Sequence, residues 1–158
     1  MVGFAAAATQ KDQMTKLVNA SVNWTDGERF VAHGSSGHAV VVDSDRERNT
    51  APGPMELVLI GLCACTATDV VSILRKKREP FATLKVSAEA RRADHPPTVY
   101  EYIRLTYVVS GKIHRKAVED AVRLSKSKYC SVSAMLQKTA EIETVVEIAE
   151  DAGAASAV

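Results

Sequence analysis

The sequence predicts an α+β protein with a largely antiparallel sheet and one long buried central helix, in the order βββ-α-ββ-αα-β. Three observations carry that expectation. Several segments alternate apolar and polar residues with the period of two expected of half-buried strands. One stretch, Met55 to about Lys77, is apolar nearly all round through its first half and too long for a strand. Turn signals rich in Gly, Pro and Asp separate the two kinds of segment.

The elements follow in order. In TKLVNASVNW (15–24), Val18, Ala20, Val22 and Trp24 share one face of a first strand. Asp26-Gly27 is a hairpin signal, since both residues tolerate positive φ, and it leads into a second strand, Glu28 to His33. Gly34-Ser35-Ser36-Gly37 is another turn, and HAVVVD (38–43) a third strand. The polar loop SDRERNTAPG (44–53) ends at Pro54, which suits the first turn of a helix because its missing N–H goes unused there.

The helix closes on Arg75-Lys76-Lys77-Arg78, a solvated basic end that complements the negative end of the helix dipole, and Pro80 stops it. TLKVSAEARR (83–92) alternates with Leu84, Val86, Ala88 and Ala90 inward. After Asp94-His95-Pro96-Pro97, YEYIRLTYVVS (100–110) puts Ile103, Leu105, Tyr107 and Val109 on one face, and Gly111 ends it. Residues 114 to 128 carry Ala117, Val118, Ala121, Val122 and Leu124 at helical spacing. A shorter helix from Ser131 to Lys138 and a last strand, Glu141 to Ile148, complete the order. One domain is expected over 15–150, with flexible tails at 1–14 and 151–158. A helix apolar all round needs cover on two sides and a single modest sheet covers one, so a dimer pairing two such helices is expected.

Composition narrows the function classes. With 46% hydrophobic and 25% charged residues and a net charge of +1, the chain reads as ordinary and globular. No basic run interleaves with aromatics, so a nucleic-acid partner has little electrostatic support. The longest uncharged apolar run, Leu57 to Thr68, is short for a bilayer span. The N-terminal MVGFAAAATQKDQ has no basic region of the kind that opens a signal peptide, so a cytoplasmic, reducing location is expected. Three cysteines there suggest buried thiols, a metal site or a redox pair rather than a disulfide scaffold.

Two of them sit in GLCACTATDVV (61–71). On a helix, residues two apart are separated by about 200°, so Cys63 and Cys65 cannot join each other without unwinding it. A Cys-x-Cys zinc half-site meets the same difficulty and lacks a nearby completing pair, so no metal is expected. At most one of the two can face Cys130. The third cysteine lies in KYCSVS (128–133), at the joint between the C-terminal helices. There free backbone N–H groups favour the thiolate, and Ser131 and Ser133 supply capping chemistry. Cys63, inside an apolar helix, reads as a small inert core residue. For Cys130 a reactive thiol and a packing residue stay equally open. Asp69, one helical turn after Cys65, reads as a structural hydrogen-bonding group, since a carboxylate beside a thiolate would raise its pKa. His33, His38, His95 and His114 are scattered and take no role.

Three stretches carry a family resemblance: GPMEL (53–57), CTATDVVSIL (65–74) and KYCSVSAML (128–136). They resemble the OsmC/Ohr superfamily, in particular its OsmC-like redox-protein branch, over residues 17 to 148. The resemblance implies an OsmC-like fold, an intertwined homodimer and two interfacial sites, each with a cysteine pair. It implies a thiol-dependent peroxidase acting on organic hydroperoxides. Cys65 takes the position of the attacking thiolate, Cys130 that of the resolving thiol, and an external dithiol restores the pair with no bound cofactor. Cys63 falls where relatives carry a small residue. The family's peroxidases hold the thiolate with an Arg from the N-terminal strands and a Glu near the helix start. Here Met55 takes that Glu's register and Glu56 follows one residue later; Arg29 is the nearest hairpin arginine, and Arg46 and Arg48 lie in a loop. Glu56 and Arg29 are therefore the candidate activating pair. Two alternatives stand beside peroxidase turnover: a general dithiol/disulfide redox protein, and a non-enzymatic binder of a small apolar ligand.

Overall fold

The computed structural model describes residues 17–149. The expected tails at 1–14 and 151–158 lie outside the described residues. Six strands and three α-helices follow one another in the expected order: β1 (Ala20–Asp26), β2 (Arg29–Gly34), β3 (Ala39–Asp43), α1 (Pro54–Lys76), β4 (Thr83–Arg92), β5 (Tyr100–Ser110), α2 (Arg115–Leu124), α3 (Ser131–Leu136) and β6 (Glu141–Ala149). The strands form two three-stranded sheets, β1-β2-β3 and β4-β5-β6, rather than one. Four of the six strands pair only antiparallel; β5 and β6 run parallel, because α2 and α3 form the crossover between them. The chain divides into two compact units, Met1–Leu57 and Val58–Val158.

The first unit is an antiparallel meander. Gly27 turns β1 into β2 at φ +49°, and the Trp24 indole N–H donates to its carbonyl at 2.9 Å. Every residue of β1 is exposed, including Val22 and Trp24, so the half-buried strand predicted there has no cover on either face. The 44–53 loop is fastened by Asp43, which is buried. Its carboxylate accepts from the backbone N–H of Asp45 at 3.0 Å and from both the hydroxyl and the N–H of Thr50. Those donors, the Thr50 hydroxyl first, together with Arg29 outweigh burial and hold the Asp43 carboxyl below its ordinary value. A group depressed on folding adds stability above its unfolded pKa and loses it as pH falls through the folded one. Thermal melts of the wild type are therefore expected to drop as pH is lowered below about 4, and Asp43→Asn should flatten that dependence while lowering stability near neutrality.

The second unit is built on β5. Ile103, Leu105, Tyr107 and Val109 alternate into the interior and are all buried, as the period of two predicts. Ala117, Val118, Ala121 and Val122 of α2 are buried with them. From α1 a single stripe reaches this core: Leu62, Thr66, Val70 and Leu74, spaced four apart. Fully burying each Leu or Val contributes about 1.5–3 kcal/mol. The rest of α1 is half-buried or exposed, with Ile60 at 53%, so the helix predicted to be buried on most sides is covered on one. By length and composition alone α1 is apolar enough to cross a membrane, with a mean hydropathy of 2.2 over its most apolar stretch. Its buried stripe, and the hydrogen bonds of Thr66 and Asp69 inside the unit, are those of a core helix.

The helix stops before Pro80. Arg78 takes the left-handed conformation at φ +57°, its N–H donates to the Arg75 carbonyl, and the Glu79 N–H donates to the Leu74 carbonyl. This is the pair of bonds that closes a helix when glycine follows it. An L side chain there is strained, so Arg78→Gly is expected to gain about 1 kcal/mol, raising the melting temperature by roughly 2–4 °C in a calorimetric scan.

Candidate active site

The helix expected over 114–128 forms only in part. After Leu124 the chain widens into a single π-turn, Ser125–Tyr129, in which the Cys130 N–H donates to the Ser125 carbonyl at 2.9 Å. The turn delivers Cys130 to the N-cap of α3, where its Sγ accepts from the Ser133 N–H at 3.4 Å. Cys130 is 2% exposed. Burial pushes its thiol up; the Ser133 bond offsets part of that, while the neighbouring Cys65 adds to the rise. The helix end was expected to favour a thiolate at this position. Desolvation wins instead, because α3 is short and the sulfur faces inward.

The sulfur atoms of Cys65 and Cys130 and a carboxylate oxygen of Asp69 lie within 4.8 Å of one another. The two cysteines thus meet across space, and small side-chain rotations would bring the sulfurs into bonding range. Among the described residues this is the one set of Cys, His, Asp and Glu side chains close enough to share a cation. It offers three ligands, one short of a closed tetrahedral zinc shell, and disulfide closure would consume two.

Around Asp69 runs a buried chain of hydroxyls. Ser125 Oγ donates to Asp69 Oδ2 at 2.8 Å, Ser125 Oγ and Thr66 Oγ1 lie 2.9 Å apart, and Thr66 Oγ1 and the Tyr107 hydroxyl 2.7 Å apart. Each hydroxyl has one hydrogen to give. With Asp69 ionised the order is fixed: Tyr107 donates to Thr66, Thr66 to Ser125, and Ser125 to Asp69. Burial pushes the Tyr107 hydroxyl up to about 12, so it stays a donor. These three residues were missed as site residues in the sequence. Their only signal was polar groups at core-facing positions, Thr66 midway between Leu62 and Val70 and Ser125 one turn after Ala121.

Cys63 lies on a different face of α1, in an open groove of about 470 Å³ with Leu59, Ile60, Ala64, Val86 and Ala88. It is half-buried rather than enclosed, and burial raises its thiol. An apolar groove therefore sits at Cys63.

Arg29 and Glu56 belong to the first unit. Arg29 Nε lies 3.9 Å from Asp26 Oδ1 and 4.0 Å from Asp43 Oδ2, buried without a hydrogen bond. Glu56 Oε2 accepts from the Gly53 N–H at 2.8 Å, reaching back to the helix start as the third residue of a capping box does. Of the loop arginines, Arg48 pairs with Asp26 at 2.9 Å.

A family model described as OsmC-like protein matches residues 47–145. Protein YhfA of Escherichia coli K12 is 37% identical over 132 residues, covering 83% of this chain and 98% of that protein. The crystal structure of a hypothetical protein from Aquifex aeolicus VF5 superposes with a TM-score of 0.78 at 30% identity, over 86% of this chain and 98% of its own. An organic hydroperoxide resistance protein OsmC from Legionella pneumophila shares the fold, with a TM-score of 0.64 at 15% identity over 83% and 96% of the two chains. With its cysteine pair within the matched segment, this chain belongs to the OsmC-like protein family.

Proposed function

We propose that the protein is a cysteine-based, thiol-dependent peroxidase that reduces organic hydroperoxides and works as a cytoplasmic homodimer. The observation that carries this is the approach of Cys65 and Cys130, a half-buried thiol beside a buried one, with sulfurs within 4.8 Å. The Cys65 thiolate attacks the peroxide O–O bond, an alcohol leaves, and Cys65 becomes a sulfenic acid. Cys130 then displaces the sulfenic oxygen as water and closes a disulfide, which an external dithiol reopens without a bound cofactor. Arg29, with a buried Nε that no acceptor engages, and Glu56 at the start of α1 are the proposed activating pair. A second copy is the proposed cover for the apolar residues left open, Val22 and Trp24 on β1 and Ile60 on α1.

The two thiols also fit a second reading, a general dithiol/disulfide redox protein without peroxide turnover, because closing a disulfide between them needs no peroxide. Consumption of cumene hydroperoxide with a dithiol separates the two. The wild type is expected to turn over and Cys65→Ser to fall to the uncatalysed background. A wild type as inactive as Cys65→Ser ends the peroxidase reading. A disulfide that forms with oxidised glutathione alone then supports the second.

A further inference from the structure

We infer that Asp69 is the proton-transfer group of the resolving step, taking the proton from Cys130 and giving it to the oxygen that leaves Cys65. The inference rests on the peroxidase reading above and names the residue that makes its second half proceed. The step balances without another reagent. Cys130–SH and Cys65–SOH become Cys65–S–S–Cys130 and water: the S–S bond forms, the S–O bond breaks, the Cys130 sulfur is oxidised and the Cys65 sulfur is reduced. One proton must leave a buried thiol and one must reach a departing hydroxide. A single carboxylate within 4.8 Å of both sulfurs can do both, directly or through one water.

Three observations place that task on Asp69. Cys130 is buried and its thiol is pushed up, so it needs a base at the moment of attack. Asp69 sits on the same helical face as Cys65, four residues on, and presents its carboxylate to both sulfurs. The Tyr107–Thr66–Ser125 chain ends on Asp69 Oδ2 and aims every hydroxyl hydrogen toward it. That orientation keeps a hydrogen-bond donor fixed on the carboxylate. Lys76, Lys77 and Tyr129 border the cleft beside Asp69.

The test is a single turnover. Reduced protein receives one equivalent of cumene hydroperoxide, and quenched samples are read by mass spectrometry for dimedone-trapped sulfenic acid and for disulfide. Asp69→Asn keeps the shape and can still accept from Ser125. It should form sulfenic acid at Cys65 at least as fast as the wild type, since a neighbouring negative charge is gone, and close the disulfide about 10²-fold more slowly. Closure in the variant should rise with pH as Cys130 ionises unaided, while wild-type closure stays flat. Ser125→Ala, which keeps the carboxylate and removes its oriented donor, should close about tenfold more slowly and guards against misfolding of the first variant. Equal closure rates in wild type and Asp69→Asn, with sulfenic acid seen in both, overturn the role of Asp69 alone. Absence of sulfenic acid in the wild type overturns the peroxidase reading, and this role with it.

Discussion

Gly111→Ala is expected to destabilise the protein by about 3 kcal/mol or more, from backbone strain and overpacking together. Gly111 ends β5 at φ +118°, a conformation outside even the left-handed helical region. A Cβ built there would lie 2.7 Å from the Ala82 N, 2.8 Å from the Pro80 O and 2.9 Å from the Phe81 Cα. All three belong to the backbone of the link between α1 and β4, so no side chain can swing aside. The same link is tied to the end of β5, with the Ala82 N–H on the Ser110 carbonyl at 2.8 Å and the Thr83 and Ser110 hydroxyls 2.6 Å apart. Making room for one methyl would open these bonds and the first pair of the β4–β5 ladder. Urea denaturation should show a lower midpoint with an unchanged slope. A loss below about 1 kcal/mol, the scale of an ordinary substitution, would mean the link is not packed as described.

The second large effect is functional. Cys130→Ser is expected to bring peroxide turnover down to background while leaving the fold intact. Serine is a better N-cap than cysteine, and its hydroxyl can accept from the Ser133 N–H that now bonds Sγ, so stability should stay within about 1 kcal/mol of wild type. What is lost is the thiol that displaces the sulfenic oxygen. With excess hydroperoxide the Cys65 sulfenic acid should progress to sulfinic and sulfonic acids, visible as added oxygens on the peptide carrying it. A variant that keeps turning over, its sulfenic acid reduced directly by the dithiol, would remove Cys130 from the cycle.

Much of the second unit was legible because its strands obey a period that side-chain burial enforces. Ile103, Leu105, Tyr107 and Val109 could face only one way, and Pro54, Gly27 and Gly111 carry conformational demands visible residue by residue. Apolar character, by contrast, does not say what covers a surface. Trp24 and Ile60 read as buried and stand exposed in the single chain. The pairing of β6 parallel to β5 was hidden because alternation is the same in either direction. The meeting of Cys65 with Cys130 followed from family register. The buried chain from Tyr107 to Asp69 did not, since hydrogen bonds between residues 41 and 59 positions apart leave no local trace.

The π-turn at Ser125–Tyr129 makes chain length itself part of the site. An α-helix would make this turn with one residue fewer. That surplus residue lets Ser125 face Asp69 while Cys130, five positions on, also points inward. Substitutions at the exposed Ser127 and Lys128 can be absorbed as long as the count holds. Loss of a single residue there would restore the α-helical register and swing Cys130 by about 100°, separating the sulfurs with every site residue still present. For this segment the number of residues matters more to the site than their identity.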